Sequence, residues 1–472
     1  MSYNKAIDYL YGLQKHGIKL GLTNISTVAE VLGQPQRAFH CVHVAGTNGK
    51  GSTSAMIANI IGAEGFRTGL FTSPHLVRFT ERIRIDGVEI TEQEVVSLTE
   101  EIREALKNEQ GEQGLRITFF EFVTALAFLH FQRQGVQWVV FETGMGGRYD
   151  ATNIITPQLT IITSISEDHK EFLGESIAEI AAEKAGIIKR GVEVVTGCRD
   201  EVALGVIKAA ARENQSAVDV YGADFAVSNV RLSVDGTTLD YAGHDTYRDL
   251  HIPLVGPHQA ENSACAIRAW EVLSGKGHLS GDEGVLRRAL EGVAWPGRCE
   301  MASFDGMSVL LDGAHNPDAM IHLAATLRDV FVNPKGKTPF LRPFLRIILI
   351  IGTMSDKDKE NIIAPILPVA HRVIFTSANS PRAERPERLV AIARAMLLEM
   401  PEMPEVESAF YTTDSLRDAL SLARTLYQKG DLVVVTGSFY TVGDAKEVMG
   451  GEVVSLKDLT ESTGKEKEEK RF

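Results

Sequence analysis

A glycine-rich turn near the start of the chain restricts the possible folds more than any other feature. An apolar run, His40–Ala45, leads into the turn, and apolar residues recur at helical spacing from Met56 to Ile61 after it. Glycines allow backbone N–H groups to converge on phosphate oxygens, and both a helix N-terminus and a lysine favour negative charge there. The pattern predicts a strand, a phosphate-binding loop and a helix. The loop consists of Gly46, Thr47, Asn48, Gly49, Lys50, Gly51 and Ser52.

The spacing within this loop is tighter than in the common phosphate-loop pattern. Two residues separate Gly46 from Gly49, whereas the common pattern has four residues between its glycines. The plainer interpretation is a glycine-rich turn with an incidental lysine. The strand before the turn and the helix after it favour the nucleotide-binding interpretation.

Apolar runs alternate with helical patterns along most of the chain, which predicts an α/β protein. The runs at 137–141 and 159–162 are almost continuously apolar, as expected of a mostly parallel sheet with helices on both faces. The alternation breaks near residue 219, and Asp235-Gly236 between two short runs predicts a small antiparallel annex. A second alternating series then begins after Trp295-Pro-Gly-Arg298, with apolar runs at 308–311, 345–351, 372–375 and 432–435.

These patterns predict two domains and a tail in a chain of 472 residues, a length greater than that of one ordinary domain. We predict a phosphate-loop domain at 1–296, which includes the annex, and a Rossmann-like α/β domain at 297–455. The charged, aperiodic segment at 456–472 is predicted to be a disordered tail. A hinge is expected near 295–297.

Composition argues against several classes of partner. The formal net charge of −13 disfavours nonspecific binding to nucleic acid or to an anionic membrane surface. The N-terminus lacks the pattern of a signal peptide, and no apolar run approaches the roughly 20 residues that span a bilayer. The four cysteines are scattered without metal-like pairing. We therefore expect a reduced cytoplasmic protein without nucleic-acid or membrane partners, and a monomer because no heptad run is present.

Three predicted strands end in polar residues that could form a metal site. Ser73 follows one strand, Glu142 directly follows another, and Glu167–His169 follow a third. Ligand sites in open α/β sheets lie at the carboxyl ends of strands, so Ser73, Glu142 and His169 can converge beside the phosphate loop. Magnesium prefers oxygen ligands, which makes an imidazole unusual. Structural roles are the alternative, with Ser73 and Asp168 as helix caps and His169 as a hydrogen-bonded core residue.

Lys184 occupies an unusual position on a predicted helix. Ser176-Ile-Ala-Glu179 is a capping box that begins the helix, and Lys184 lies four residues after Ile180 on the apolar face. Since a buried unpaired ammonium is costly, this lysine has to extend to solvent, pair with a neighbour such as Glu183, or be chemically altered. Carbamylation by carbon dioxide would make it an acidic group able to bind a second magnesium ion. The residues alone leave these alternatives open.

With these residues in view, the chain resembles the folylpolyglutamate synthase and dihydrofolate synthase family, within the larger group of Mur-type ligases. The resemblance extends over nearly the whole chain up to the charged tail. The segments that carry it are 46–52, 72–83, 142–153, 166–169, 183–186, His258-Gln259 with Asn262, 295–298, Asp312-Gly-Ala-His-Asn-Pro317 and Thr436-Gly-Ser438.

The resemblance implies a role for each candidate residue. Lys50 and its loop would hold the ATP phosphates, and Ser73, Glu142 and His169 would bind Mg²⁺. Lys184 would be carbamylated and bind a second magnesium ion; a monovalent cation such as K⁺ is also compatible with the family. The resemblance assigns Asn262, Arg298 and Asp312 to the nucleotide, and Asp312 and His315 to closure of the active site. It assigns Arg82 and the loop 17–22 to the pterin and folate, and His315 with 377–382 to glutamate.

The reaction implied by the resemblance is ATP-dependent addition of L-glutamate to a folate through an acyl phosphate. The segment 146–153 resembles the bifunctional type, which also adds glutamate to dihydropteroate. The alternatives are a monofunctional member of the family, a cell-wall ligase and an ATP-binding module without catalysis. A loop that begins at Gly46 leaves no room for the separate preceding domain of cell-wall ligases. The presence of Lys50, Glu142, His169 and Lys184 argues against a module that has lost its chemistry.

Overall fold

Two compact units make up the described part of the chain. The structure is a computed structural model that describes residues 1–17, 21–110, 115–168, 170–332, 344–399 and 409–450. The first unit comprises 1–230, 238–252 and 258–293, and the second comprises 231–237, 253–257 and the residues from 294 onward. Apart from the two short segments, the change of unit therefore lies between 293 and 294. The predicted disordered tail at 456–472 lies outside the described residues.

The first unit contains an eight-stranded sheet among its described residues, with the order β4-β3-β2-β5-β1-β6-β7-β8. Its strands from β2 through β5, β1, β6 and β7 to β8 pair in parallel, and only β3 and β4 at one edge are antiparallel. The strands are β1 (His40–Ala45), β2 (Thr68–Phe71), β3 (Ile83–Ile85), β4 (Val88–Glu89), β5 (Trp138–Glu142), β6 (Leu159–Ile162), β7 (Val194–Thr196) and β8 (Val218–Val220).

Helices lie before, between and after these strands, and those between parallel neighbours supply the long crossover that parallel pairing requires. They are α1 (Tyr3–Gly12), α2 (Thr23–Val31), α3 (Lys50–Ala63), α4 (Glu92–Gln110), α5 (Phe119–Arg133), α6 (Lys170–Leu173), α7 (Ile177–Ala185), α8 (Glu201–Glu213), α9 (Pro257–Gly275) and α10 (Glu283–Glu291). Phe71, Phe128 and Phe141 lie in one core cluster and have no exposed surface. Each buried phenylalanine contributes roughly 1.5–3 kcal/mol to folding, so this core holds the central strand ends firmly.

The predicted annex is a three-stranded sheet of β9 (Ala226–Ser233), β10 (Gly236–Ala242) and β11 (Thr246–Ile252), with β10 in the middle. Two residues connect β9 to β10, a length that only antiparallel neighbours permit. The hairpin lies where Asp235-Gly236 predicts it.

The second unit has a six-stranded sheet in its described part, with the order β12-β13-β17-β14-β15-β16. All neighbours except β12 and β13 pair in parallel. The elements are β12 (Glu300–Phe304), β13 (Met307–Leu311), α11 (Pro317–Thr326), β14 (Arg346–Ile351), α12 (Lys359–Ile363), β15 (Arg372–Phe375), α13 (Pro386–Glu399), β16 (Phe410–Thr412), α14 (Leu416–Leu426), β17 (Asp431–Thr436) and α15 (Phe439–Val448).

The two mainly parallel sheets, of eight and six strands, confirm the predicted α/β fold class. Within the described ranges, no helix combines the length and the hydrophobicity that crossing a bilayer requires.

Candidate active site

The glycine turn forms a tight loop between β1 and α3. Gly46 and Gly49 have φ of +150° and +84°, and Gly49 is the residue at which α3 is capped. A Cβ on Gly46 would overlap Thr163 Oγ1, and one on Gly49 would overlap Asn262 Oδ1. Asn262, which the resemblance assigns to the nucleotide, therefore lies directly against the loop. The strained backbone and these close neighbours explain why glycine is required at both positions.

The loop gives a first prediction, for Gly49→Ala. We expect the KM for ATP to rise about tenfold or more, because the added methyl group displaces Asn262 while a non-glycine residue at this φ costs about 1–2 kcal/mol. Gly65→Ala is the matched control, since Gly65 has φ of +92° but open space around a Cβ. Steady-state kinetics of both variants provides the measurement. An equal change of KM in the two variants would contradict the role given to the close contact between Gly49 and Asn262.

Two lysines from different helices converge on one carbonyl of the loop. Lys50 Nζ donates to the carbonyl oxygens of Gly46 at 3.1 Å and Thr47 at 3.0 Å. Lys184 Nζ donates to the Gly46 carbonyl oxygen at 2.7 Å. The two amine nitrogens thus both donate to the same carbonyl oxygen, at the carboxyl end of the central strand.

Lys184 is buried, with 4% of its surface exposed. Ser176 caps α7 as the capping box predicts, accepting a hydrogen bond from the Glu179 amide. Lys184 does not pair with Glu183, whose carboxylate instead lies 3.7 Å from Arg148. Burial, together with the charge of Lys50, lowers the pKa of Lys184 to about 7. A large fraction of this amine is therefore neutral near physiological pH, which is the state that reacts with carbon dioxide.

Ser73 and Glu142 lie side by side because β2 and β5 are parallel neighbours. The Ser73 amide donates to Glu142 Oε2 at 3.2 Å, and Glu142 is 5% exposed. His169, the third predicted magnesium ligand, lies outside the described residues. No group of three histidine, cysteine, aspartate or glutamate residues that could hold a metal occurs in the described part of the chain. Ser73 and Glu142 nevertheless fit magnesium, because this ion takes few protein oxygens and completes its shell with phosphate and water.

A carboxylate that the sequence analysis did not select organises the segment after β5. Asp150 Oδ2 accepts hydrogen bonds from the amides of Gly144 at 2.8 Å and Met145 at 3.0 Å, and Oδ1 accepts one from Thr152 at 3.0 Å. Burial raises the pKa of Asp150, and these donors oppose that rise. The local signal was an aspartate two residues before a threonine at the start of a short helix, a common capping pattern.

Arg82 lies in an aromatic group at the end of β2. Its Nε donates to His75 Nδ1 at 2.7 Å, and its guanidinium lies 5.4 Å from the centre of the Phe119 ring. Tyr11 stacks on Phe119 with ring centres 5.5 Å apart. Burial and the charge of Arg82 lower the pKa of His75 to about 3, so the imidazole is neutral and accepts from the arginine. Residues 18–20 of the predicted folate loop 17–22 lie outside the described residues.

In the second unit, the predicted residues gather at the end of β13. Buried Asp312 accepts hydrogen bonds from the amides of Cys299 and Ala314, both at 2.9 Å. Burial raises the pKa of Asp312, whereas the positive charge of Arg298 lowers it. The Arg298 guanidinium lies 4.7 Å from the centre of the Phe439 ring. The centre of the His315 ring lies 5.3 Å from the same ring centre.

Phe439 therefore brings Arg298 and His315 together, a role that sequence reasoning missed. Its only signal was its place directly after the Thr436-Gly-Ser438 motif. Near 377–382, Arg382 forms an ion pair with Asp356, in which one guanidinium nitrogen, Nη2, lies 2.9 Å from both carboxylate oxygens.

Family models match both units of the chain. The Mur ligase middle domain matches residues 44–270, and the Mur ligase glutamate ligase domain matches residues 297–439. A Bacillus subtilis protein named dihydrofolate synthase/folylpolyglutamate synthase is 34% identical over 451 residues, which cover 94% of this chain and 99% of the relative.

Solved structures agree with these similarities. The structure of Mycobacterium tuberculosis folylpolyglutamate synthase complexed with ADP has a TM-score of 0.85 at 32% identity, and covers 96% of this chain and all of the other. The structure of E. coli FolC in complex with DHPP and ADP has a TM-score of 0.79 at 29% identity, and covers 94% of this chain and 98% of the other.

Proposed function

This chain belongs to the folylpolyglutamate synthase and dihydrofolate synthase family of Mur-type ligases, and we propose that it joins L-glutamate to folates and to dihydropteroate with consumption of ATP. The family membership rests on identity over nearly the full length of the relatives. ADP in the Mycobacterium tuberculosis structure, and DHPP with ADP in the E. coli one, support the choice of ATP and of a dihydropteroate acceptor. The name of the Bacillus subtilis relative supports both acceptor classes.

The observation that carries the proposal is the convergence of Lys50 and Lys184 on the Gly46 carbonyl oxygen, at 3.1 and 2.7 Å. The ammonium group of Lys50, together with the glycine loop and a helix N-terminus, attracts a strongly anionic group. A triphosphate meets that requirement. The adjoining carboxylate of Glu142 would repel it unless a cation lay between them, which supports a magnesium-bound nucleotide.

Ser73 and Glu142 would hold the magnesium ion, together with His169 as the resemblance implies. When bound, the ion neutralises phosphate charge during phosphoryl transfer. Lys50 would contribute a further positive charge at the transferred phosphoryl group, and the backbone amides of the loop would orient that phosphoryl group. Lys184, once carbamylated, would offer an anionic oxygen pair to a second ion. A K⁺ site stays a prediction, as do the monomeric state and a cytoplasmic location.

The chemistry requires an activated carboxylate. A carboxylate is a poor electrophile, so the substrate carboxylate oxygen attacks the γ-phosphorus of ATP, ADP leaves, and an acyl phosphate forms. The glutamate amine then attacks the acyl carbon, and the tetrahedral intermediate expels phosphate and loses a proton. Water has to be excluded, since acyl phosphates hydrolyse.

The flat pterin and its linked ring are assigned to the group formed by Arg82, Phe119 and the neutral imidazole of His75.

The acceptor glutamate is assigned to the second unit, near Asp312 to His315 and 377–382. Arg382 offers a planar guanidinium suited to a carboxylate, although it is paired with Asp356 in this structure. The two carboxyl groups of glutamate require positive partners, and Arg382 would supply one of them.

The experiment that tests the proposal measures ADP release with ATP and four combinations of substrates: none, the folate substrate alone, glutamate alone, and both. The expected result is release only when both are present, with tetrahydrofolate and with dihydropteroate alike. Release without either substrate would support an ATPase module instead. Release with only one of the two folate substrates would establish the monofunctional alternative.

A further inference from the structure

A fully buried histidine lies in the central strand with no role in the chemistry described above. His43 is in β1, three residues before Gly46, and has no exposed surface. Its Nε2 lies 2.8 Å from Thr152 Oγ1. Its Nδ1 is buried and has no hydrogen-bond partner among the described residues. A buried polar atom without a partner is costly, so the arrangement calls for an explanation.

The position of one proton determines the direction of this contact. Thr152 Oγ1 lies 2.5 Å from Asp150 Oδ1 and donates its only proton to it. The hydroxyl oxygen must then accept from His43, because it has no second proton to give. His43 is thereby required to carry its proton on Nε2, and Nδ1 is left as a bare acceptor. Burial and the nearby charge of Lys189 lower the pKa of His43 to about 3, which keeps the ring neutral.

Asp150, at the end of this chain of hydrogen bonds, shapes the segment between two site residues. It holds the amides of Gly144 and Met145, directly beyond Glu142. The same segment is joined to α7, since the Arg148 amide donates to the Glu183 carbonyl oxygen at 2.7 Å. His43, Thr152 and Asp150 thus connect the strand that ends in the phosphate loop to the segment that joins Glu142 and Lys184.

We propose that His43 is a positioning residue, whose directed hydrogen bond through Thr152 to Asp150 keeps the segment after Glu142 in place for phosphoryl transfer. The proposal rests on the proposed function of Glu142 and Lys184. His43 itself touches no reacting group. Small displacements of reacting groups are expensive, because catalysis depends on their alignment.

The kinetic test compares His43→Leu, which removes the donor, with His43→Gln, whose amide places a donor near the position of Nε2. We expect kcat of His43→Leu to fall about tenfold or more, with KM for ATP within about threefold of the unchanged protein. His43→Gln should recover at least a third of the kcat. His130→Leu is the control, because His130 is another buried histidine of the first unit, beside Glu94. It should keep normal kcat.

The pair Thr152→Val and His43→Leu tests whether the two residues act as one chain. The double variant should lose little more kcat than either single variant, whereas multiplied losses would overturn the proposal. Equal kcat losses in His43→Leu and His130→Leu, or no recovery in His43→Gln, would also overturn it.

A measurement on the unchanged protein remains valid even if the variants do not fold or the proposed reaction is wrong. Long-range ¹H–¹⁵N correlation spectra of histidine-labelled protein, with His43 assigned through the spectrum of His43→Gln or by sequential connectivity, report which ring nitrogen bears the proton. Protonated Nε2 with bare Nδ1 at neutral pH supports the proposal. Protonation of Nδ1, or of both nitrogens, would overturn it regardless of any activity result.

Discussion

Lys50→Ala is expected to lower ligase turnover by about 10²- to 10³-fold while the protein remains folded. Lys50 supplies a positive charge at the phosphate loop, where its Nζ lies 3.1 Å from the Gly46 carbonyl oxygen. Alanine removes that charge but leaves the glycines and the N-terminus of α3 in place. Turnover is measured as ADP formed in the presence of both substrates, and folding as the melting temperature.

Lys208→Ala is the matched control for Lys50→Ala. Lys208 is an exposed lysine on α8 of the same unit, and its removal changes the net charge equally. It should retain normal turnover. Normal turnover in Lys50→Ala would refute the role assigned to Lys50, and equal losses in both variants would attribute the effect to net charge.

Lys184→Ala is expected to lose about 10²-fold or more of the activity and to regain part of it when acetate or propionate is added. A carbamylated lysine presents a carboxylate-like group, and a small carboxylate can enter the space that the shortened side chain leaves. Acetamide, which has similar shape but no charge, is the control and should not restore activity. Restoration by acetamide, or normal activity without any additive, would contradict the assigned carbamylation.

The pKa of Lys184 adds a pH dependence to this prediction. Carbamylation joins the amine nitrogen to carbon dioxide with loss of a proton, and it requires the neutral amine. Because burial lowers the pKa of Lys184 to about 7, the neutral form predominates above that pH and the ammonium below it. Protein depleted of carbon dioxide should therefore regain activity faster after bicarbonate addition at about pH 8 than at about pH 6, once the concentration of dissolved carbon dioxide is matched.

Features set by neighbouring residues in the chain could be predicted from the sequence. The strand, loop and helix around Gly46–Ser52 form because the apolar spacing and the glycines act within a few residues. The helix α7 begins after Ser176, as the capping box predicts, and Lys184 is buried on the apolar face where its spacing from Ile180 places it. The adjacency of Ser73 and Glu142 followed from the rule that parallel strands meet at their carboxyl ends.

Features set by residues far apart in the chain could not be predicted. His43 and Thr152 are 109 positions apart and meet only because β1 and β5 are neighbours in the sheet. Phe439 contacts His315 because β13 and β17 are neighbours in the sheet, which brings the segments after those strands together. Arg298 precedes β12, and it reaches the same place because β12 is antiparallel to β13. In each case an ordinary-looking residue acquires its role from the strand order, which periodicity and motif spacing do not specify.

The acyl phosphate is the central claim, and an isotope-transfer measurement tests it most directly. Tetrahydrofolate labelled with ¹⁸O in the carboxylate that receives glutamate is incubated with the protein, ATP and glutamate, and the inorganic phosphate is analysed by mass spectrometry. Attack of that carboxylate on the γ-phosphorus transfers one labelled oxygen to phosphate in each turnover, so we predict phosphate that carries one ¹⁸O. Amide formation with unlabelled phosphate would contradict the mechanism.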